Sequence, residues 1–386
     1  MLPHDAQIPP GAASVLIVDL EAIAHNYRYM QSQAPTTDVG VSIKSDAYGL
    51  GAANIAPALA ALGCRTFFVA TAAEGTALRA AVPDAEIVIL NGPDADNVAL
   101  FDQHRLTPAL NSLAQLDVWR GAVATSPHSP GAYLHLDTGM SRLGFSEAEI
   151  SQLCADPALL NGVAVSVVMS HLACADEPKS PVNPQQRDRL LATAAKLSAL
   201  TGPVRTSLAN SAGIFLGADY HMDLVRAGAS IYGLDFFDRK INEIRQVVYL
   251  YAKIIQVRDV DKPATVGYGA AHRISGPTRI ATLATGYADG YLRSAGRLST
   301  KDKRAHATTY IGDMAAPVVG RVSMDLLTVD VSDVPAAAVQ PGGYAELIGD
   351  HFSVDDLADV AGTIGYEVLT RLGQRHHRIY RGGVTV

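Results

Sequence analysis

The feature that most restricts the fold of this chain is a regular alternation of short apolar runs with helix-length segments. The apolar runs lie at Val39–Lys44, Thr66–Thr71, Glu86–Asn91, Thr107–Asn111, Ala132–Asp137, Val163–His171, Val204–Asn210 and Leu224–Arg226. Two of the helix-length segments between them are Asn54–Leu62 and Pro184–Thr201. Such alternation predicts parallel β/α units, and this number of units predicts a closed (β/α)8 barrel of the TIM type.

The pattern changes after residue 245, where strand-like segments are separated by clusters of Gly, Pro and Asp. These segments are Val247–Val257, Thr278–Ala284, Ala315–Val322, Leu326–Val331 and Tyr344–Ile348, and Asp355–Gly362 is the one clear late helix. A chain of 386 residues is longer than one core usually serves. We therefore predict an α/β protein with two domains. Residues 1–245, with a first strand at Ser14–Asp19, form the barrel domain, and residues 246–386 form a smaller, mostly β C-terminal domain.

The composition argues against several classes of partner. Lysine and arginine total 31 against 38 aspartates and glutamates, and no basic run stands out, so neither nucleic acid nor an anionic membrane is expected as a partner. The three cysteines show no metal-type pairing and no disulfide framework. Because we see neither a signal-peptide pattern nor an apolar run of membrane-spanning length, we predict a cytoplasmic protein, and we expect no metal site.

A lysine at the end of a predicted strand is the first candidate for catalysis. The stretch Val41–Gly51 reads V-S-I-K-S-D-A-Y-G-L-G, so Lys44 lies where an extended run gives way to a glycine-containing loop. That end of a β/α barrel carries the chemistry, and a partly buried lysine there has a lowered pKa and serves as a nucleophile toward an aldehyde. Tyr48 follows closely and is placed to turn its hydroxyl toward the same end.

Several stretches of the chain resemble motifs of the alanine racemase family, in the order in which that family has them. K-S-D-A-Y-G-L-G resembles the motif of the lysine that holds pyridoxal phosphate (PLP). It is followed by D-T-G-M-S-R-L-G, V-R-A-G-A-S-I-Y-G, T-G-Y-A-D-G and V-G-R-V-S-M-D. The resemblance covers nearly the whole chain. It implies PLP as the cofactor and a homodimer whose active sites are shared across the interface.

The resemblance implies cofactor-binding roles for several residues of the predicted barrel. Lys44 holds PLP covalently, Arg142 bonds the phenolic oxygen of PLP and the substrate carboxylate, and His171 stacks on the pyridine ring. Arg226 faces the pyridine nitrogen. Because an arginine is effectively never deprotonated, it cannot accept a proton from the ring, which favours racemisation over transamination. The other cofactor contacts that the resemblance implies are Tyr48, Asn210, Ser211, the backbone of Gly228 and Ala229, and Tyr366.

The resemblance also implies roles for residues of the predicted β domain. Tyr268, in V-G-Y-G-A, corresponds to the second catalytic base, which the partner subunit supplies. Inversion needs bases on opposite faces of Cα, because a single fixed base returns the proton to its own side. Tyr287 is implied at the substrate entrance, and Met324 and Asp325 are implied to line the pocket.

Two positions depart from the family pattern. His135 stands where many members have a lysine carried as a carbamate, and Ser323 stands where cysteine is frequent. A neutral His135 can accept one hydrogen bond from Arg142, whereas a cationic ring would repel that arginine. We therefore predict a neutral His135, with a small anion such as chloride, or Asp137, supplying any negative charge that Arg142 needs.

The leading interpretation is an isomerase of the alanine racemase type. It would interconvert L-alanine and D-alanine by a two-base mechanism, with Lys44 and Tyr268 as the bases, and so supply D-alanine for cell-wall peptidoglycan. One alternative is a racemase of another small amino acid such as serine. Two others are a PLP-dependent barrel decarboxylase acting on basic amino acids and a PLP carrier without turnover. The β-domain motifs favour the racemase, because the carrier relatives resemble the barrel alone and the decarboxylase would lack T-G-Y-A-D-G and V-G-R-V-S-M-D.

Overall fold

The computed structural model describes residues 8–125, 131–237, 241–299 and 301–383, and the chain divides into two compact units. The barrel unit comprises Ile23–Ile231 and Asp235–Ile244. The other, called the β unit here, comprises the segment that ends at Ala22 together with Tyr232–Leu234 and Arg245–Gly383.

Parallel strands close into a barrel after strand β1 (Ser14–Asp19) and helix α1 (Leu20–Gln33). The barrel strands are β2 (Asp38–Ser42), β3 (Thr66–Val69), β4 (Glu86–Ile89), β5 (Thr107–Leu110), β6 (Ala132–His135), β7 (Val165–Met169), β8 (Arg205–Asn210) and β9 (Leu224–Ala227). They pair in chain order, and β2 also pairs with β9, which completes the circle. Each predicted apolar run overlaps one of these strands, so the predicted (β/α)8 barrel is confirmed.

Helices and short turns connect the barrel strands. The helices are α2 (Lys44–Tyr48), α3 (Ala52–Ala61), α4 (Ala72–Arg79), α5 (Val98–Gln103), α6 (Leu113–Val123), α7 (Glu147–Ala155), α8 (Val182–Thr201) and α9 (Ser211–Ile214). Short 3-10 helices lie at Pro157–Leu160, Ala218–Tyr220 and Ala229–Tyr232. Reciprocal capping boxes begin α4, with Thr71 and Glu74, and α7, with Ser146 and Glu149.

Apolar side chains form a buried core cluster drawn from six of the barrel strands. The cluster consists of Phe68, Val88, Ala109, Tyr133, Val167, Met169 and Leu224. Because successive strand residues point to opposite faces, alternate positions of these strands contribute to one packed interior. Polar chemistry is therefore expected at the ends of the strands rather than in the middle of the barrel.

The β unit is built around one long strand. Its elements are β10 (Val248–Val260), β11 (Ala264–Val266), β12 (His272–Ile274), β13 (Thr278–Leu283), β14 (Thr308–Ile311), β15 (Met314–Pro317), β16 (Leu327–Asp330), β17 (Tyr344–Ile348), β18 (His377–Arg381), α10 (Val354–Ala361) and α11 (Gly365–Arg371), with 3-10 helices at Tyr268–Ala270, Tyr287–Asp289, Arg293–Ala295 and Ala336–Ala338. Strand β10 pairs with β1, β13 and β17. The predicted mostly β character of this part of the chain is confirmed, while the β11–β12 hairpin, β14, β18 and α11 were not predicted.

Strand β1 does not lie with the barrel strands that follow it. It pairs antiparallel with β10 and parallel with β18, and so lies between these two strands of the β-unit sheet. The sequence-based boundary had grouped Ser14–Asp19 with the barrel. A buried central strand and a barrel strand carry the same continuous apolar run, so the sequence shows that β1 is a strand without showing its distant partners. Where the domains divide remains a prediction.

Two further features bear on function. Among the described residues, no helix combines the length and the apolar composition that a bilayer crossing requires. Within the same residues, no group of three or more His, Cys, Asp or Glu side chains is arranged to hold a metal ion.

Candidate functional site

The turn that carries Lys44 is left-handed. Strand β2 ends at Ser42, and Ser45, Asp46 and Ala47 then have φ of 54° to 55° and ψ of 45° to 52°. Tyr48 continues the turn with φ 56°. For residues other than glycine this conformation costs about 1–2 kcal/mol per residue, so the surrounding structure must hold it.

Two carboxylates hold the left-handed turn. Glu74, at the start of α4, accepts a hydrogen bond from the Ser45 amide at 2.9 Å through Oε1 and one from the Ala70 amide at 2.7 Å through Oε2. Asp46 accepts from the Ala52 amide at 2.7 Å. Hydrogen bonds on both sides thus hold the turn, so the backbone at Lys44 has a fixed conformation.

The environment of Lys44 favours its neutral, nucleophilic form. Burial lowers the pKa of Lys44, and the nearby cations Arg142 and Arg226 lower it further, while Glu74 opposes this effect. A lysine with a lowered pKa keeps a larger fraction of free amine at neutral pH, which an attack on an aldehyde requires. The structure therefore gives Lys44 the electrostatic setting that the sequence predicted for it.

A compact group of hydroxyls and backbone amides surrounds Gly228. A Cβ atom built on Gly228 would lie 2.7 Å from the Tyr48 hydroxyl, so only a glycine fits there. The Ser211 hydroxyl accepts a hydrogen bond from the Gly228 amide at 2.8 Å and lies 3.0 Å from the Ser230 hydroxyl. Such donors suit a phosphate group.

Asn210 and Ala229 belong to the same region. Asn210 caps α9, and its side-chain oxygen accepts from the Gly213 amide at 2.9 Å. Ala229 is buried and begins the 3-10 helix Ala229–Tyr232. The structure thus brings together the barrel residues that the sequence predicted for phosphate binding.

Arg226 is a buried cation without a carboxylate partner among the residues that the structure describes. Its guanidinium donates to the Ser207 hydroxyl at 2.6 Å, to the Ser170 carbonyl at 2.7 Å and to Nδ1 of His171 at 3.2 Å. Burial lowers the pKa of Arg226 to about 10, which leaves it cationic at neutral pH. Burial and then the Arg226 charge lower the pKa of His171 well below its usual value, so His171 is neutral.

Arg142 lies in an exposed loop that Asp137 shapes. The Asp137 Oδ1 atom accepts hydrogen bonds from the backbone amides of Gly139, Met140 and Ser141 at 2.9, 3.0 and 3.0 Å. Partial burial alone would raise the pKa of Asp137, but these hydrogen bonds outweigh it and lower the pKa. Arg142 has no hydrogen bond or ion pair with any described residue, so its donors are available to a ligand.

The β unit presents three of the predicted residues on its surface. Tyr268 is 71% exposed, Met324 is 54% exposed and Tyr287 is 42% exposed. All three side chains are therefore accessible on the surface of the β unit.

Arg375 joins the two loops that carry Tyr287 and Asp325. The Tyr287 amide donates to the Ser323 carbonyl at 3.0 Å, which brings the loops side by side. Arg375 donates through Nε to Asp289 at 2.6 Å and through Nη1 to Asp325 at 2.8 Å. The Asp289 side chain is nearly buried, so this guanidinium supplies its countercharge.

Tyr268 follows a closely packed loop, and Tyr366 lies on a helix. A Cβ on Gly267, just before Tyr268, would lie 3.3 Å from the backbone nitrogen of Arg321, so the two loops are in close contact. Tyr366 lies in α11 and is partly buried. Both roles remain predictions.

Three residues that organise the site were not predicted. The spacing of Thr71 and Glu74 is that of a capping box, but the second bond of Glu74, to Ser45, joins elements that the sequence does not connect. Asp289 lies inside the matched T-G-Y-A-D-G stretch, which was a usable signal. No motif in the sequence points to Arg375.

The chain matches family models over most of its length. The alanine racemase N-terminal domain matches residues 18–235, and the alanine racemase C-terminal domain matches residues 247–380. The alanine racemase of Rhizobium meliloti is 45% identical over 376 residues, which are 97% of this chain and 98% of that protein. The chain belongs to the alanine racemase family. The catabolic alanine racemase of Mesorhizobium japonicum is 42% identical over 97% of this chain and 94% of its own length.

Solved structures of alanine racemases share the fold. That of the Bartonella henselae enzyme, which has covalently bound pyridoxal phosphate, superposes with a TM-score of 0.87 at 34% identity over 96% of this chain and 100% of that one. The biosynthetic alanine racemase of Pseudomonas aeruginosa gives a TM-score of 0.83 at 34% identity with the same coverage. The family inferred from the motifs is therefore confirmed.

Proposed function

We propose that this protein interconverts L-alanine and D-alanine with pyridoxal phosphate held covalently by Lys44, and so supplies D-alanine for peptidoglycan. The observation that carries the proposal is the placement of two basic groups on paired strands in a member of this family, because Lys44 follows β2 and Arg226 lies in β9, which pairs with β2. Lys44 has a pKa lowered by burial and by nearby cations, and Arg226 is a buried cation whose described partners include no carboxylate.

The barrel residues fit the cofactor. The Tyr48 hydroxyl lies close to Gly228, and the Ser211 hydroxyl is hydrogen-bonded to the Gly228 amide, so hydroxyl groups that suit a phosphate meet here. The lowered pKa of Lys44 suits its attack on the aldehyde group of the cofactor. When bound, pyridoxal phosphate supplies an electron-withdrawing ring that makes the Cα proton of an amino acid removable. Arg226 keeps its own protons and so leaves a facing ring nitrogen unprotonated, and Arg142 offers uncommitted donors to a carboxylate.

Proton movement at Cα is assigned to Lys44 on one face and to Tyr268 of the partner subunit on the other. Tyr268 can act as a base only as its phenolate, which a neighbouring hydrogen-bond donor stabilises. The hydrogen bond from Arg226 to Nδ1 of His171 leaves Nε2 of that neutral ring with its proton. This bond is the first link of the proposed chain from Arg226 through His171 to Tyr268.

A homodimer with shared sites follows from the same proposal. The exposed apolar side chains Tyr268, Tyr287 and Met324 support it, because a partner that covers them removes apolar surface from water. The cytoplasmic location predicted from the sequence is retained in the proposal.

Incubation of the purified protein with L-alanine, followed by chiral chromatography, tests the activity. Because enantiomers have equal free energy, the expected endpoint is an equal mixture of L-alanine and D-alanine. Faster conversion of serine would identify a racemase of another small amino acid. Release of carbon dioxide from lysine, ornithine or arginine would identify a decarboxylase. Absence of turnover with cofactor bound would identify a carrier.

The attachment point has its own test. Borohydride reduction of the holoenzyme, followed by proteolysis and peptide mapping, should place the cofactor on Lys44. A Lys44→Ala chain should acquire no label. Label on another lysine would contradict the assignment.

A further inference from the structure

The side chain of Asn111 lies next to His135 at the ends of neighbouring barrel strands. Asn111 directly follows β5, and His135 is the last residue of β6. Both are buried, at 6% and 8% exposure, and the Asn111 Oδ1 atom lies 2.7 Å from Nδ1 of His135. The roles of these two atoms follow from the groups around them.

The orientation of the Asn111 amide is determined by backbone groups. Gln115 accepts a hydrogen bond from the Asn111 backbone amide at 2.8 Å through Oε1 and donates to the Asn91 carbonyl at 2.7 Å through Nε2, so its own amide has only one orientation. Nδ2 of Asn111 lies 3.1 Å from that same Oε1, 2.9 Å from the Ala109 carbonyl and 3.1 Å from the Leu90 carbonyl. If the Asn111 amide were flipped, its oxygen would face Oε1 of Gln115 and the carbonyl oxygens of Ala109 and Leu90, which is repulsive. Oδ1 therefore faces His135.

The tautomer of His135 follows from this orientation. Because Oδ1 of Asn111 only accepts hydrogen bonds, Nδ1 of His135 must carry the proton. Burial, then Arg226 and Arg142, lower the pKa of His135 to about 4, while Asp137 opposes them, so the ring is neutral at neutral pH. A neutral ring with the proton on Nδ1 has its lone pair on Nε2. That atom has no hydrogen-bond partner among the described residues.

The lone pair on Nε2 is left without a donor in the described part of the chain. Of the two arginines whose charges act on His135, Arg226 already donates to Ser207, Ser170 and His171. Neither arginine is hydrogen-bonded to His135, so its Nε2 remains open as an acceptor.

We propose that Asn111 is a positioning residue that fixes His135 as the Nδ1–H tautomer, so that Nε2 stays an uncharged hydrogen-bond acceptor at the end of β6. This assignment does not rest on the proposed function. Asn111 and His135 together thus present an acceptor that carries no charge.

Nitrogen NMR of the holoenzyme labelled with 15N-histidine tests the tautomer directly. The His135 signals are assigned by their loss in a His135→Gln chain. At neutral pH we expect a protonated Nδ1 and an unprotonated Nε2. A protonated Nε2, or a ring protonated on both nitrogens, would overturn the proposal. This result does not depend on turnover, whereas alanine racemisation by the wild-type protein decides the proposed function separately.

An Asn111→Ala chain tests the role of the asparagine. We expect its His135 to gain the Nε2–H form, because the acceptor that holds the proton on Nδ1 is lost. Asn183→Ala is the matched control, because Asn183 is also buried and donates to two backbone carbonyls but has no histidine partner. In that control the His135 signals should be unchanged. An Asn111→Ala chain with wild-type His135 signals would refute the positioning role.

Discussion

The carboxylate of Glu74 accepts a hydrogen bond from the backbone amide of Ser45 at 2.9 Å, across 29 residues of sequence. Its other oxygen accepts from the Ala70 amide at 2.7 Å. One side chain therefore completes the capping box of α4 and also holds the first left-handed residue after Lys44. These hydrogen bonds offset the backbone strain of the turn, directly next to the proposed cofactor lysine.

Replacement of Glu74 by glutamine should destabilise the protein and weaken cofactor retention. A glutamine has one acceptor oxygen, so the amide donors at Ser45 and Ala70 cannot both be satisfied, and we expect a loss of about 1–2 kcal/mol in the free energy of unfolding. Urea denaturation measures the first effect. Equilibrium dialysis against pyridoxal phosphate measures the second.

Glu149→Gln is the control for Glu74→Gln. Glu149 also completes a capping box, with Ser146 at 2.9 Å, and reaches a second segment at the Leu113 amide, at 3.1 Å. The control should show a similar loss of unfolding free energy with unchanged cofactor affinity. If both variants retained the cofactor equally well, Glu74 would have only its capping role.

The stability of the protein should fall as the pH falls from about 6.5 toward 4, in part because of His135. Burial and the charges of Arg226 and Arg142 lower the pKa of His135 to about 4 in the folded state. An unfolded histidine titrates near 6.5, so between these values the unfolded state binds the proton first and folding is disfavoured. Above both values the ring is neutral in both states and the stabilising contribution is fully present.

In a His135→Gln chain the free energy of unfolding should depend less steeply on pH near pH 5, by up to about 1.36 kcal/mol per pH unit. Urea unfolding at pH 8, 6 and 5 gives the slope for each protein. The difference at pH 8 isolates the packing cost of the substitution, because there the His135 ring is neutral in both the folded and the unfolded state. If the unfolding free energies of the two proteins changed in parallel with pH, His135 would titrate as an ordinary histidine.

The sequence predicted those parts of the fold and the site that depend on local patterns. The eight barrel strands are short apolar runs at regular intervals, and Lys44, Arg142 and Arg226 lie within long motifs. Strand β1 was recognised as a strand but not as a neighbour of β10 and β18, because strand partners distant in sequence leave no local signal.

Contacts between distant side chains account for most of what the sequence did not reveal. The left-handed turn after Lys44 has no glycine between Ser45 and Tyr48, so the usual signal of positive φ is missing. The pairing of Asn111 with His135 joins two strand ends that are separated by 24 residues. Such contacts depend on how the units of the barrel pack, and the composition of each unit does not specify them.

Removal of the Arg375 guanidinium should loosen the two loops that carry Tyr287 and Asp325. In Arg375→Ala the nearly buried Asp289 loses its countercharge, and we expect a lower free energy of unfolding together with a higher KM for alanine. Arg371→Ala is the control, because the pair of Arg371 and Glu367 is exposed and its loss should leave both values nearly unchanged. An unchanged KM in Arg375→Ala would show that the loops keep their positions without it.

Mixed dimers test whether two chains share an active site. Lys44→Ala and Tyr268→Phe chains should each be inactive alone, because each lacks one of the two proposed bases in every site. If Tyr268 acts in the partner's barrel, a mixed dimer contains one site with both bases intact. Random exchange of subunits makes half of the dimers mixed, so the recovered activity should approach about a quarter of the wild-type value.

The matched control mixes Lys44→Ala with Arg226→Ala. Both of these changes fall in the barrel, so no combination of the two chains produces an intact site, and no activity should return. Subunit exchange is followed independently, with chains that carry different affinity tags. If exchange is complete and the mixture of Lys44→Ala with Tyr268→Phe remains as inactive as this control, Tyr268 is not a base supplied by the partner subunit.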